Sequence, residues 1–415
     1  MKRISSQLPG MDSSYNMRLR EWEMSQETNK MGTQSRIKDL RDDPLAAARS
    51  TRYQSEIFRM ERYGKNVSTA QGTMAVAEGN LMQAVDVLQR MRELAVQGAT
   101  GTVDPAQMGY MGEEVDQLFR ELVNIGNARA EDGSYLFSGT QPRTEPFRTT
   151  AGHVPGTGGD RITQVDYLGN NGTRLAEVSE GSTMGLNMPG HTVFWAEQQQ
   201  VYSTTDASSY RVQADSRIRL DGTEIDLRAG DNVYAIIARI NDADVALKAE
   251  LDPVSSSLML RTTQPHQVWA EDLAGGTVLQ DLGILDKESP RPPQNFAKSA
   301  RVFGGSVFDM AMHLRDALLE GNAEKVGGSG IRGIDDSLQS VTTALAEIGS
   351  KDSRLEGIAK RISSETAEVT GFDSEDRGLD LAESITRLRM LEFGHEAALA
   401  ASARVMQKTL LDYLR

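Results

Sequence analysis

The sequence predicts an α+β protein in which both chain termini build a long antiparallel helical bundle and the middle forms a β-rich insert. Three observations predict it. Apolar residues recur with a heptad period over 53–98, helical periodicity resumes near residue 331, and the stretch 138–293 turns to Gly, Pro, Thr and short alternating runs.

The first 43 residues offer Met11, Tyr15, Leu19 and Trp22 along one face. The same face continues as Gln26, Asn29 and Thr33. A helix so weakly amphipathic is expected to need neighbours.

The heptad stretch is far stronger. Met60, Val67, Met74, Leu81, Leu88 and Ala95 recur every seven residues, and Tyr63, Ala70, Ala77, Ala84 and Met91 fill the positions three further on. This is the seam of a helix packed lengthwise on others, with alanines that let backbones approach closely. Asp104-Pro105 then reads as an N-cap followed by proline at the first helical position. Met108, Met111, Val115, Leu118, Leu122 and Ile125 carry that helix.

The C-terminal half repeats the pattern. Ile334, Leu338, Val341, Leu345, Ile348, Leu355, Ala359, Ile362 and Val369 form one stripe, interrupted by Asp352 and Thr366. Leu381, Ile385, Leu388, Leu391, Leu399, Met406, Leu410 and Leu414 follow on a last helix. No proline follows Pro293, as long uninterrupted helices require. Gly327-Gly328-Ser329-Gly330 reads as a flexible connector.

In the middle, 161–167 and 258–263 alternate as strands, 169–172 signals a turn, and 231–240 reads as one short helix. The expected organisation is an axial segment 1–43, bundle halves 44–140 and 299–375, an insert 141–298, and a second axial segment 376–415.

Composition narrows the function classes. The 415 residues carry a net charge of -14 and a pI near 5.0, which gives nucleic acid or an anionic membrane no electrostatic attraction. Cysteine is absent, so no disulfide or thiolate metal site forms. A hydrophobic fraction of 39% and mean hydropathy of -0.44 suit an elongated or partner-dependent chain. No apolar run spans a bilayer, and the basic start lacks the apolar core of a cleaved signal. A cytoplasmic protein, or one exported without a cleaved signal, is expected.

Chemical motifs are weak. Gly156-Thr157-Gly158-Gly159-Asp160 lacks the Lys-Ser/Thr of a phosphate loop and reads as a turn. His395-Glu396 begins like the helical zinc motif, but Leu399 stands where its second histidine would be. His153, His191, His266 and His313 suggest no ligand pair by spacing, and their clustering in space stays open. The 18 methionines read as gap-filling core, with an adaptable contact surface as the alternative. No catalytic, metal or cofactor site is expected.

Several segments resemble flagellar hook–filament junction proteins of the flagellin-like family. They are the opening Met1-Lys2-Arg3-Ile4-Ser5-Ser6, Arg36-Ile37, and Asp42-Asp43-Pro44-Leu45-Ala46-Ala47-Ala48. Asp43 would cap the second helix, with Pro44 in its first turn. Met91 through Ala99 matches a stretch shared with flagellins. Tyr135-Leu136-Phe137-Ser138-Gly139, with Pro146-Phe147, resembles the junction family's exit from bundle to insert, and Thr409 through Leu414 its closing helix. Residues 220–285 resemble a motif inserted in flagellins and hook-associated proteins. Where the family carries glycine before its basic pair, this chain has Gln34.

The resemblance implies a structural flagellar subunit, not an enzyme. It implies type III export, a ring of subunits with axial terminal helices, and another hook-associated protein and flagellin or hook subunits as partners. A dedicated export chaperone would grip the C-terminal helix. The readings that compete are a flagellin and a cytoplasmic coiled-coil scaffold.

Overall fold

The computed structural model describes residues 8–37, 41–154, 159–273, 275–288 and 291–411, with side chains described within 14–403. The chain divides into two compact units, one of 1–65 and 359–415 and the other of 66–358.

Three long helices come first: α1 (Leu8–Thr33), α2 (Pro44–Ala99) and α3 (Pro105–Gly126). Two hairpins follow, β1 (Phe147–His153) with β2 (Asp160–Tyr167), and β3 (Leu175–Ser179) with β4 (Ser182–Gly185). The short turn α4 (Gly190–Val193) leads to β5 (Gln200–Ser203), β6 (Ser216–Leu220) and β7 (Thr223–Leu227). Then come α5 (Val233–Asp242), β8 (Leu247–Leu251), β9 (Leu258–Thr262), β10 (Ala270–Leu273), α6 (Val278–Asp281) and β11 (Ala300–Phe303). The chain returns to helix with α7 (Val307–Leu319), α8 (Ala323–Lys325), a π-helical turn (Val326–Gly330), α9 (Ile331–Arg377) and α10 (Leu381–Leu411).

In the unit of 66–358, the heptad rows of α2 are buried from Val67 through Ala95. They share one core with Val115, Phe119 and Leu122 of α3, Phe308 and Leu314 of α7, and Ile334, Val341 and Ile348 of α9. Leu338 and Leu345 lie at its edge, half-buried. Arg92 pairs with Asp335 at 2.6 Å, while Gly327 lies beside Ala99. As the chain climbs α2 it descends α9, so the two run antiparallel.

The first hairpin plugs this core. Phe147, at the base of β1, packs on Phe308 in a tilted arrangement at 4.8 Å between ring centres and meets Phe194 edge-on at 5.2 Å. A second core belongs to the insert alone. The sheets β10-β6-β7 and β11-β5-β9-β8 enclose Ile218, Leu227, Ile236, Leu247, Leu260 and Leu282, with α5 against β8. Asn232 caps α5 by accepting from the Ala235 amide, where the sequence reads a helix over 231–240.

In the unit of 1–65 and 359–415, Met60 and Tyr63 of α2 are buried together with Ile362 of α9. Thr366 Oγ1 donates to Met60 Sδ at 3.4 Å. Ser50 donates to Asp373 further along, so here too the two helices are antiparallel.

Two expectations are corrected. Gly327 through Gly330 is not a connector but part of the π-helical turn that leads into α9. A Cβ on Gly327 would sit 3.2 Å from Ala99 Cβ, and one on Gly330 3.2 Å from Leu314 Cδ1. The glycines admit close backbone packing inside helix, which overrides their poor propensity. Asp104 does stand at the N-cap of α3, yet its side chain makes no capping hydrogen bond.

Candidate assembly surfaces and the joints that place them

α1 and α10 lie antiparallel along one another. Ser384 Oγ donates to Glu27 Oε1 at 3.0 Å, with both side chains buried, and Lys30 lies 3.8 Å from the same carboxylate. Further along, the guanidinium of Arg20 crosses over Gly394, a place that a Cβ would fill. The contact between the helices is thus partly polar, and much of the apolar surface faces outward.

Tyr15, Leu19 and Trp22 of α1 are exposed, Trp22 at 59%. Leu381, Ile385 and Leu399 of α10 are exposed as well, and Leu388 is half-buried. The side chains of Met11, Met406 and Leu410, and all of Leu414, lie outside the described residues. Met390 and Phe393, more exposed than any of these at 71% and 74%, escaped the sequence reading. They stand three apart, off the stripe that runs through Leu388 and Leu391.

The joints beside these helices are held tightly. At the end of α1 the Ser35 amide donates to Lys30 O and the Gln34 amide to Met31 O, the paired bonds of a Schellman cap. Gln34 takes the left-handed conformation this requires, with φ 51°. It is the position at which the resembling family carries glycine. Ser35 then bridges to Gly378, and the Arg36 amide donates to Arg377 O at 2.8 Å. The connector after α1 therefore lies against the one before α10.

Asp43 caps α2, accepting from the Ala46 amide at 3.0 Å, with Pro44 as the first helical residue. That amide and the neighbouring Arg36 hold the Asp43 carboxyl below the usual carboxylate range. Asp42 beside it is exposed.

Along the bundle seam, Met60, Val67, Met74, Leu81, Leu88, Leu355 and Ile362 are buried, while Leu338 and Leu345 are half-buried.

The exit segment is a network of hydrogen bonds. Phe137 is buried against Phe194 at 5.1 Å. Its carbonyl accepts from the Gly190 amide and from Tyr167 Oη at 2.9 Å. Gly139, at φ 72°, leaves room for Asn170. That side chain accepts from the Thr140 amide at 2.8 Å and donates to Thr140 Oγ1 at 2.6 Å. Tyr135 receives the guanidinium of Arg129 over its ring at 4.4 Å. Burial pushes the Tyr167 phenol well above its ordinary value, so it stays a donor here.

Other chemistry-bearing groups are scattered. His313 bonds Ser329 Oγ at 2.7 Å, and His395 is half-buried on α10. Among the described residues no group of three His, Asp or Glu side chains could hold a metal ion. No described helix is long and apolar enough to cross a membrane. Asp160 opens a strand rather than a helix, while Gly156, Thr157 and Gly158 lie outside the described residues.

Residues 4–142 match the family model of the bacterial flagellin N-terminal helical region. Polar flagellin C of Vibrio parahaemolyticus is 20% identical over 387 residues, covering 93% of this chain and 91% of that protein. The N-terminal third of this chain is thus similar to the helical region of bacterial flagellins. Flagellin FlaB1 of Treponema pallidum is 28% identical over 229 residues, 52% of this chain and 78% of that one. The flagellar junction protein FlgL from Legionella pneumophila aligns with a TM-score of 0.46 and 17% identity over 80% of this chain and 100% of that one, a likeness of outline. The matched N-terminal region holds the α2 seam, the Asp43 cap and the exit segment.

Proposed function

We propose that this chain is the structural subunit of the adaptor ring that joins hook to filament, acting by helix packing and not by catalysis. The observation that carries the assembly role is the outward display of Trp22, Ile385, Met390 and Phe393 on helices from both chain ends. Large apolar side chains left in water on paired helices mark a surface meant for burial in a partner. Segments 1–43 and 376–415 would be the axial elements, and 141–298 the outward-facing insert.

The place at the junction rests on sequence motifs. Asp42-Asp43-Pro44 and the Tyr135-x-Phe137-x-Gly139 exit resemble junction proteins more closely than filament subunits. Partners would be copies of this chain, another hook-associated protein, and flagellin or hook subunits. The protein would be exported by the type III route, to the cell exterior or to a periplasmic flagellum. Before export the α10 face would be covered by a chaperone groove.

Immunogold labelling of isolated hook–filament preparations tests the placement. Label confined to the boundary is expected. Label along the whole filament would make the chain a flagellin, and label absent from the structures would make it a cytoplasmic scaffold. Replacing Leu399 and Leu410 with serine should weaken chaperone pull-down and motility with little change in melting temperature. A variant that melts several degrees lower yet binds the chaperone normally would place α10 in the subunit's own core.

A further inference from the structure

Within the unit of 66–358, a groove of about 730 Å³ opens between one face of α9 and loops of the insert. That is the size range of small-molecule sites, about 300–1,000 Å³. His191, Asn171 and Gln264 line it from the insert, and Asp336, Gln339 and Thr343 line it from α9. The sequence left open whether distant histidines meet, and here two do, with the rings of His191 and His266 centred 6.5 Å apart.

The polar groups divide into those already satisfied and those waiting. Asp221 is satisfied, one oxygen 2.9 Å from His266 Nε2 and the other accepting from the Trp269 amide at 2.9 Å. Lys351, the groove's lysine, is held by Glu347 at 2.7 Å. An anionic ligand would therefore meet no free ammonium. By contrast, His191 is 95% buried, being 5% exposed, and its Nδ1 has no hydrogen-bond partner. Buried polar atoms in folded proteins are paired in the great majority of cases, so an orphan inside a groove points to a ligand. Burial also pushes the His191 imidazole down to about 4, which leaves it neutral at ordinary pH.

The buried orphan is thus a neutral imidazole, while the carboxylate of Asp336 and the side-chain amides of Asn171, Gln264 and Gln339 line the groove facing solvent, Gln264 and Gln339 exposed and the other two half-buried. Amides both donate and accept, and a carboxylate accepts twice; adjacent hydroxyl groups present the matching pattern. Met188, Pro189 and Ala344 supply apolar wall for C–H faces. A cation would use the Asp336 carboxylate and the amide oxygens but leave the amide N–H donors idle.

We propose that this groove binds a short neutral saccharide. The binding is separate from the assembly role and stands or falls without it.

The test uses the full chain with maltose, cellobiose and lactose as probes, followed by calorimetry and saturation-transfer NMR. Saturable binding of at least one sugar is expected. Gln339→Ala and Asn171→Ala should each weaken it about tenfold, and Thr343→Trp, which fills the groove from α9, should abolish it. Thermal melting of each variant reports whether it is folded. The proposal is overturned if none of the three sugars binds the folded protein. It is overturned equally if Thr343→Trp binds as before, or if spermidine binds the groove in place of sugars.

Discussion

Arg315 Nη1 of α7 lies 3.2 Å from Asp116 Oδ1 of α3, and both side chains are sealed from solvent. The same nitrogen donates to Ile162 O in β2 at 2.9 Å. Arg120 and Arg161 reach the other oxygen of Asp116, at 3.0 and 3.6 Å. One carboxylate thus ties two helices to the first hairpin. Arg315 keeps Asp316, at 2.8 Å and partly exposed, as a second carboxylate, but removing Asp116 takes away the buried one, and breaking a buried pair costs far more than the pair itself contributes. Asp116→Ala should lower stability by about 3–5 kcal/mol in urea unfolding, and the double change Asp116→Leu with Arg315→Met should cost much less. A single-variant loss below about 1 kcal/mol would show the pair to be expendable.

The α2 seam makes a second, independent claim. Leu81 and Leu88 have no exposed surface, so truncation leaves a cavity in a packed interior. Leu81→Ala and Leu88→Ala should each cost about 2–5 kcal/mol. Changes within about 0.5 kcal/mol, the range of surface substitutions, would contradict a buried seam.

Gln34 supports a smaller and opposite expectation. A side chain held at φ 51° costs about 1 kcal/mol relative to glycine. Gln34→Gly should therefore slow hydrogen exchange at the Ser35 and Arg36 amides by roughly fivefold. Unchanged or faster exchange would mean that the left-handed cap is not strained.

His191 gives the pH dependence its sign. Its folded value is about 4, lowered by burial, against about 6.5 when unfolded. The unfolded chain therefore binds more protons between those values. Stability is complete above pH 6.5 and is lost as pH falls toward 4. The groups facing the ring are His266 and Asp221, with Tyr167 and Trp269 packed against it. The wild-type chain should lose about 2 kcal/mol more than His191→Asn between pH 7 and pH 5. Equal losses in both proteins would remove His191 as the source.

The alternation of apolar residues by itself determined the long helices. A heptad row over 53–98 leaves one solution, a lengthwise packed helix, and the structure buries Met60, Val67, Met74, Leu81 and Leu88 in it. The short helix over 231–240 was legible for the same reason, one short apolar helical run between strands, and the structure adds its Asn232 cap. Ser306 and Asp309, three apart before an apolar run, form the capping box of α7, a signal the sequence itself carries.

Tertiary structure alone decided the rest, because those features depend on groups far apart in the chain. Nothing near Gly327 reveals that Ala99 and Leu314 will press on the turn, and local propensity therefore read it as a linker. No spacing pairs Asp116 with Arg315, 199 residues apart, or brings His191 beside His266. Gly139 is glycine because Asn170 arrives from another loop. Periodicity records which face of a helix is buried. Only folding brings the partner that makes a charge, a histidine or a missing Cβ meaningful.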